Sequence, residues 1–234
     1  LIPCGVAILD AGDLPGDPKT PEANREAIEG AVKTILDAGA TPLVLGGDDA
    51  VPIPVMAAYR DHGPIWVVQI DAHIDWRDER FGEKLGWSSP MRRASEMGWV
   101  EGIVQLAARG VGSATPKEVE DARAWGARMI TAREIHARGI GDAFAAIPQG
   151  ANVFITLDCD GLDPSVMPAV AARVPGGLTY WHVMDIFDAL AERSRIVGCD
   201  IVEIAPDRDV DGIGILTGVR LVSTAAAAMA RSRG

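Results

Sequence analysis

Cysteine is nearly missing from this chain of 234 residues, which holds only Cys4, Cys159 and Cys199. Three scattered thiols exclude a disulfide-stapled scaffold and predict a reducing, cytoplasmic compartment. Aromatic residues make up only 5% of the sequence, and Trp66, Trp99, Trp125 and Trp181 read as packing or interface residues rather than a stacking platform for bases. Basic residues are outnumbered, 22 against 33 acidic, for a formal net charge of -11. That balance argues against nucleic acid and against an anionic membrane as partners, and it suits a small cationic substrate. No uninterrupted run of about 18 apolar residues occurs, so no membrane-spanning segment is expected. The opening Leu1-Ile2-Pro3-Cys4 has neither the charged segment nor the cleavage pattern of a secretory signal, and without a methionine it suggests further residues upstream.

What is present is a well-filled globular composition, 48% hydrophobic and 24% charged, sized for one domain over residues 1–234. Short apolar runs alternate with segments of helical period. Strands are expected at 5–9, 41–45, 65–75, 100–106, 129–130, 152–158 and 195–204. Helices are expected at 22–38, 51–60, 91–98, 116–126, 180–193 and 214–230, with a further one over 131–146 interrupted near Gly139 and Gly141. Residues 76–90 are polar and aperiodic, as an active-site loop would be. This alternation predicts an α/β protein with a mostly parallel sheet covered on both faces, where ligands bind beyond the carboxyl ends of the strands.

The chain is organised around Ile65-Trp66-Val67-Val68-Gln69-Ile70-Asp71-Ala72-His73-Ile74-Asp75. A strand period of two places Asp71, His73 and Asp75 on one face. Buried carboxylates must be paired or bind a cation, so three such side chains at a strand end suit a metal site. Asp158 and Asp160 repeat the spacing after another strand, with Cys159 between them read as a small core residue and not a nucleophile. Asp49 follows a third strand, after Gly46-Gly47-Asp48. Left unbound, Asp49, Asp71, His73, Asp75, Asp158 and Asp160 would hold severe like-charge repulsion. A pair of manganese-like divalent ions resolves it; one magnesium or calcium ion, or a structural network of capped aspartates, are the alternatives. Asp10 and Asp13 read as turn residues, His62, His136 and His182 as local histidines, and Arg92 and Arg93 as solvated or paired.

Asp71-Ala72-His73-Ile74-Asp75, Leu157-Asp158-Cys159-Asp160-Gly161-Leu162-Asp163-Pro164 and Gly46-Gly47-Asp48 closely resemble the signatures of the ureohydrolases, the family of arginase, agmatinase and guanidinobutyrase. Pro175-Gly176-Gly177-Leu178, Val202-Glu203-Ile204-Ala205-Pro206 and Ser89-Pro90-Met91-Arg92-Arg93-Ala94 also match, the last on the agmatinase side. The likeness spans essentially the whole chain, and because family members are usually longer at the amino end, it implies a missing first strand–helix unit and pocket loop. It further implies an arginase-like three-layer α/β/α sandwich with a binuclear manganese centre, nickel being the alternative metal. By motif, Asp71, His73, Asp75, Asp158 and Asp160 would be ligands, with Asp71 and Asp158 as the bridging carboxylates. Glu203 matches a glutamate that salt-bridges the substrate guanidinium, and Asp75 matches the residue that passes a proton to the leaving amine. The implied reaction is hydrolysis of agmatine or a related small guanidine to urea and an amine by a metal-bridging hydroxide. The implied assembly is a homo-oligomer, trimer or hexamer, with a hetero-oligomer as the alternative.

That chemistry has a physical logic. A guanidinium carbon is a poor electrophile and neutral water a poor nucleophile, which two metals roughly 3.5–4 Å apart overcome by holding hydroxide at neutral pH. Two positions depart from the family pattern. Asp49 stands where histidine normally follows Gly-Gly-Asp, which adds negative charge and favours harder ions. Trp87 stands where relatives show a histidine before glycine; it cannot shuttle a proton, but it offers a substrate-binding apolar or cation–π wall. These departures keep two other readings open: a non-catalytic or weakly active partner subunit, and a metal-dependent amide hydrolase on the same fold.

Overall fold

A computed structural model describes residues 6–233. Apolar runs with two-faced burial form six parallel strands: β1 (Leu43–Leu45), β2 (Ile65–Ile70), β3 (Val100–Leu106), β4 (Arg128–Ile130), β5 (Asn152–Asp158) and β6 (Arg195–Val202). They lie in the order β1-β6-β5-β2-β3-β4, so β2 and β5 occupy the middle and point their carboxyl ends the same way. Alternation along each strand divides the core. Val68 and Ile70 of β2 join Ile155 and Leu157 of β5 on one face, while Ile65 and Val67 face the other with Phe154.

Among the described residues, seven helices cover the two faces. α1 (Pro21–Asp37), α2 (Pro52–Ala57), α3 (Pro90–Ala94) and α4 (Pro116–Trp125) supply Val32, Val55, Met56, Met91 and Ala122 to one side. α5 (Ala132–Arg138), α6 (Tyr180–Arg193) and α7 (Ile213–Arg231) supply Ile135, Phe187, Leu190, Leu221 and Ala225 to the other. The result is the expected three-layer α/β/α sandwich. Local signals fix several boundaries: reciprocal capping boxes open α4 at Thr115–Glu118, α5 at Thr131–Glu134 and α6 at Thr179–His182.

The structure corrects three expectations. Residues 6–9 form no strand; Ile8 and Leu9 are exposed, because no neighbouring strand pairs with them among the described residues, and Gly5 lies outside those residues, as does Cys4. The helix expected over 131–146 stops at Arg138, since Gly139 and Gly141 adopt φ of 69° and 40°, outside the helical region. β2 ends at Ile70 and β6 at Val202, so Asp71–Asp75 and Glu203 sit in turns beyond their strands rather than on a continued pleat. Separately, α7 is long and apolar enough, by length and composition, to cross a bilayer, although Arg220 interrupts it; one of its faces packs into the core through Leu221, Ala225 and Ala228.

Candidate active site

The ends of β2, β5 and β6 and the loop after β1 meet at one place. Two glycines permit this. A Cβ on Gly161 would lie 2.9 Å from the Asp71 amide nitrogen, so only glycine lets the turn after β5 press against the end of β2. Gly47, at φ 79°, accepts a hydrogen bond from the Glu203 N–H at 3.0 Å, tying the β1 loop to the end of β6.

Asp71, His73 and Asp160 offer ligand atoms that all lie within 4.8 Å of one another, and so do Asp49, Asp71 and Asp158. Asp71 belongs to both groups and is placed to bridge them. His73 Nδ1 stands 3.2 Å from Asp71 Oδ1 and 3.3 Å from Asp160 Oδ2. Asp75 falls in neither group; its Oδ2 accepts from Gln69 Nε2 at 2.5 Å. Asp158 Oδ1 accepts the Asp160 N–H at 2.7 Å, and Asp160 Oδ1 accepts the Ala72 N–H at 3.1 Å, which sets one carboxylate against the next.

The cluster is electrostatically uncomfortable as a set of bare acids. Burial pushes the carboxyls of Asp49, Asp71 and Asp158 well above the usual range, and neighbouring carboxylates add to the shift. Burial also raises Asp75 and Glu203, while hydrogen bonding to Asp160 raises His73. Asp49 Oδ2 is buried without a hydrogen-bond partner. A shared aspartate, a histidine and an orphaned carboxylate oxygen form a donor set that fits two hard-to-borderline divalent ions.

Backbone strain marks the same place. Asp75 and Glu203 are non-glycine residues at φ 48° and 62°, a conformation kept only where surrounding structure dictates it. Glu203 Oε1 accepts the Asp49 N–H at 3.0 Å, so the carboxylate is anchored on one oxygen beside the cluster. Together with Asp48, Trp87 and Ser88 these residues line a cleft of about 390 Å³, a size suited to a small molecule. Trp87 is half-exposed on its wall, with the Arg80 guanidinium carbon 4.1 Å from its ring centroid.

The residues set aside in the sequence lie elsewhere. His62 pairs with Asp37 at 2.9 Å, His136 with the Gly177 carbonyl at 2.8 Å, and His182 caps α6. Arg92 pairs with Glu96 and Arg93 with Asp78. Asp10 accepts the Gly12 N–H in a turn.

Four supporting residues escaped the sequence reading. Gln69 donates to Asp71 Oδ2 at 2.8 Å as well as to Asp75, and Gln105 donates to Gln69 Oε1 at 2.5 Å and to the Ile74 carbonyl at 2.7 Å. Trp76 Nε1 closes this buried chain on Gln105 Oε1 at 2.9 Å. The available signal was a glutamine inside each of two otherwise apolar strands. Arg109 is the fourth: its guanidinium donates to the carbonyls of Asp160, Gly161, Leu162 and Val174, pinning the turn that carries Asp160.

Comparison with known proteins agrees with this geometry. A family model described as the arginase family matches residues 3–228. The mitochondrial agmatinase of Gallus gallus is 31% identical over 92% of this chain, and guanidinobutyrase of Pseudomonas aeruginosa is 32% identical over 83%. The chain spans 64% and 62% of those two relatives' lengths. Among solved structures, proclavaminate amidino hydrolase from Streptomyces clavuligerus superposes with a TM-score of 0.86 at 25% identity, covering 96% of this chain and 76% of the other.

Proposed function

Because the chain belongs to the arginase family, we propose that it hydrolyses a small guanidino compound, agmatine or a relative, to urea and an amine with the help of two divalent ions. The observation that carries this reading is the pair of ligand groups sharing Asp71, in one cleft with Glu203. Asp49, Asp71, His73, Asp158 and Asp160 would hold the ions, with Asp75 beside them; manganese is the first expectation and nickel the second. Bound there, such ions acidify water and offset the carboxylate charge that would otherwise dominate the cleft.

The remaining work belongs to the protein's own groups. Glu203 has its second carboxylate oxygen free of the Asp49 N–H, and it accepts N–H donors of the planar guanidinium. That contact orients the guanidinium carbon toward the acidic floor. Asp75, whose carboxyl is raised by burial, is the group placed to pass a proton to the departing amine nitrogen, a step worth about 10²–10⁴-fold. The Gln69–Gln105–Trp76 chain keeps Asp75 and Asp71 in fixed orientations while this happens. The same reading includes a homo-oligomer, which sedimentation velocity would detect.

The test is urea release from agmatine, 4-guanidinobutyrate, 3-guanidinopropionate and arginine, with Mn²⁺ and then Ni²⁺. Turnover of at least one compound, abolished by Glu203→Gln, is the expected result. Absence of urea from every compound with two ions bound per chain would sink the proposal. The departures at Asp49 and Trp87 carry a second reading, a weakly active partner subunit. That reading requires substoichiometric metal and activity only beside an active relative. Release of an amine from acylated amines without urea would instead favour amide hydrolysis.

A further inference from the structure

The cleft has two electrostatic halves. Its floor is the carboxylate cluster, and its wall carries two cations, Arg77 and Arg80, from the loop after β2. Arg77 is matched, with Nε 3.3 Å from Glu118 Oε1. Arg80 is not: among the described residues no carboxylate pairs with it, and its side-chain N–H groups find no protein acceptor. Two aromatic rings flank it instead, Trp87 at 4.1 Å and Phe81 at 5.3 Å from the guanidinium carbon. A guanidinium packed against ring faces keeps its donor edge open for a planar anion.

The loop fixes this arrangement from below. Arg80 and Glu83 exchange backbone hydrogen bonds of 2.9 and 3.0 Å across a tight turn whose central residues, Phe81 and Gly82, have φ of 55° and 84°. Phenylalanine tolerates that conformation poorly, so the loop is held in a specific shape rather than a relaxed one.

We propose that Arg80, held against Trp87, receives a carboxylate at the far end of the substrate, so that the cleft selects guanidino acids over guanidino amines. The inference rests on the guanidino-hydrolase reading above and names the substrate class for it. The substrate's cationic head faces Glu203, its anionic tail faces Arg80, and Trp87 packs on the methylenes between. An amine tail meets the unpaired Arg80 charge instead and is disfavoured by it.

The pair 4-guanidinobutyrate and agmatine tests this, since both carry a guanidine on a short alkyl chain and their tails have opposite charge. With the metal-loaded protein, kcat/KM for 4-guanidinobutyrate is expected to exceed that for agmatine by about 10-fold or more, the scale of one charge-assisted contact. Arg80→Gln should lower the 4-guanidinobutyrate value by about 10–100-fold, mainly through KM, while agmatine improves. Arg80→Lys should recover part of the loss, because it keeps the charge without the planar fork. Preference for agmatine by the parent protein, or an equal loss on both compounds in Arg80→Gln, would overturn the proposal. Calorimetric binding of both compounds separates it from the catalytic reading. If no urea forms but 4-guanidinobutyrate binds more tightly and loses that advantage in Arg80→Gln, the tail assignment stands alone. Equal binding, or none by either compound, overturns it.

Discussion

Asp200 is a single residue at odds with its surroundings. It lies in β6, fully buried beside its register partner Thr156 of β5, and neither carboxylate oxygen has a hydrogen-bond partner. Burial pushes its carboxyl from 3.8 up to about 7. The sign of the consequence is fixed: a carboxyl raised in the folded state contributes stability that is complete below 3.8 and is lost as pH rises through about 7. Between those values the loss is about 1.4 kcal/mol per pH unit. In metal-free protein, Asp200→Asn should therefore gain stability relative to the parent by about 3 kcal/mol between pH 5 and pH 8. Urea unfolding at the two pH values measures this, because any fixed cost of the amide cancels in the comparison. A difference that stays flat with pH would show that Asp200 does not titrate as its burial requires.

At the scale of elements, the two halves of the carboxylate cluster depend on how closely the end of β5 approaches the end of β2. A Cβ on Gly161 would meet the Asp71 nitrogen at 2.9 Å and the Ile70 carbonyl carbon at 3.0 Å, both backbone atoms that cannot swing aside. Gly161→Ala should separate Asp71 from Asp158 and Asp160 and weaken Mn²⁺ binding by about 10–100-fold with helix content unchanged. Titration calorimetry and circular dichroism check the two halves of that statement, and unchanged affinity would contradict it. The elements themselves were largely legible: β3, β5 and α6 occupy the expected residues, because apolar runs and the Thr179 cap mark them locally. What escaped was set by neighbours. Residues 6–9 look like a strand yet have no strand to pair with among the described residues. Asp71, His73 and Asp75 suggested one pleated face, but β2 ends at Ile70 and a left-handed Asp75 brings its side chain round instead. The glutamine chain required the β2–β3 register that sets Gln69 beside Gln105, and the Arg80 contact required the fold of an aperiodic loop.

For the whole molecule, the proposed metal ions would compete with protons for the same carboxylates, and global stability should report the competition. Burial raises Asp49, Asp71 and Asp158 in the folded, metal-free chain, so folding takes up protons there. Each such group contributes stability that is present at low pH and fades as pH rises above the ordinary value of 3.8. Divalent ions reverse this, since they bind the ionised form and stabilise only the folded state that assembles the site. The metal-free melting temperature is thus expected to fall from pH 5 to pH 8, while the increment on adding Mn²⁺ grows over the same interval. At a free concentration about 1,000 times the dissociation constant the increment is about 4 kcal/mol. For a chain of this size that corresponds to roughly 8–16 °C. Differential scanning calorimetry with chelator and with Mn²⁺ at both pH values reads the effect. A Mn²⁺ shift larger at pH 5 than at pH 8, or no shift at either, would mean that these carboxylates do not act together as the metal site.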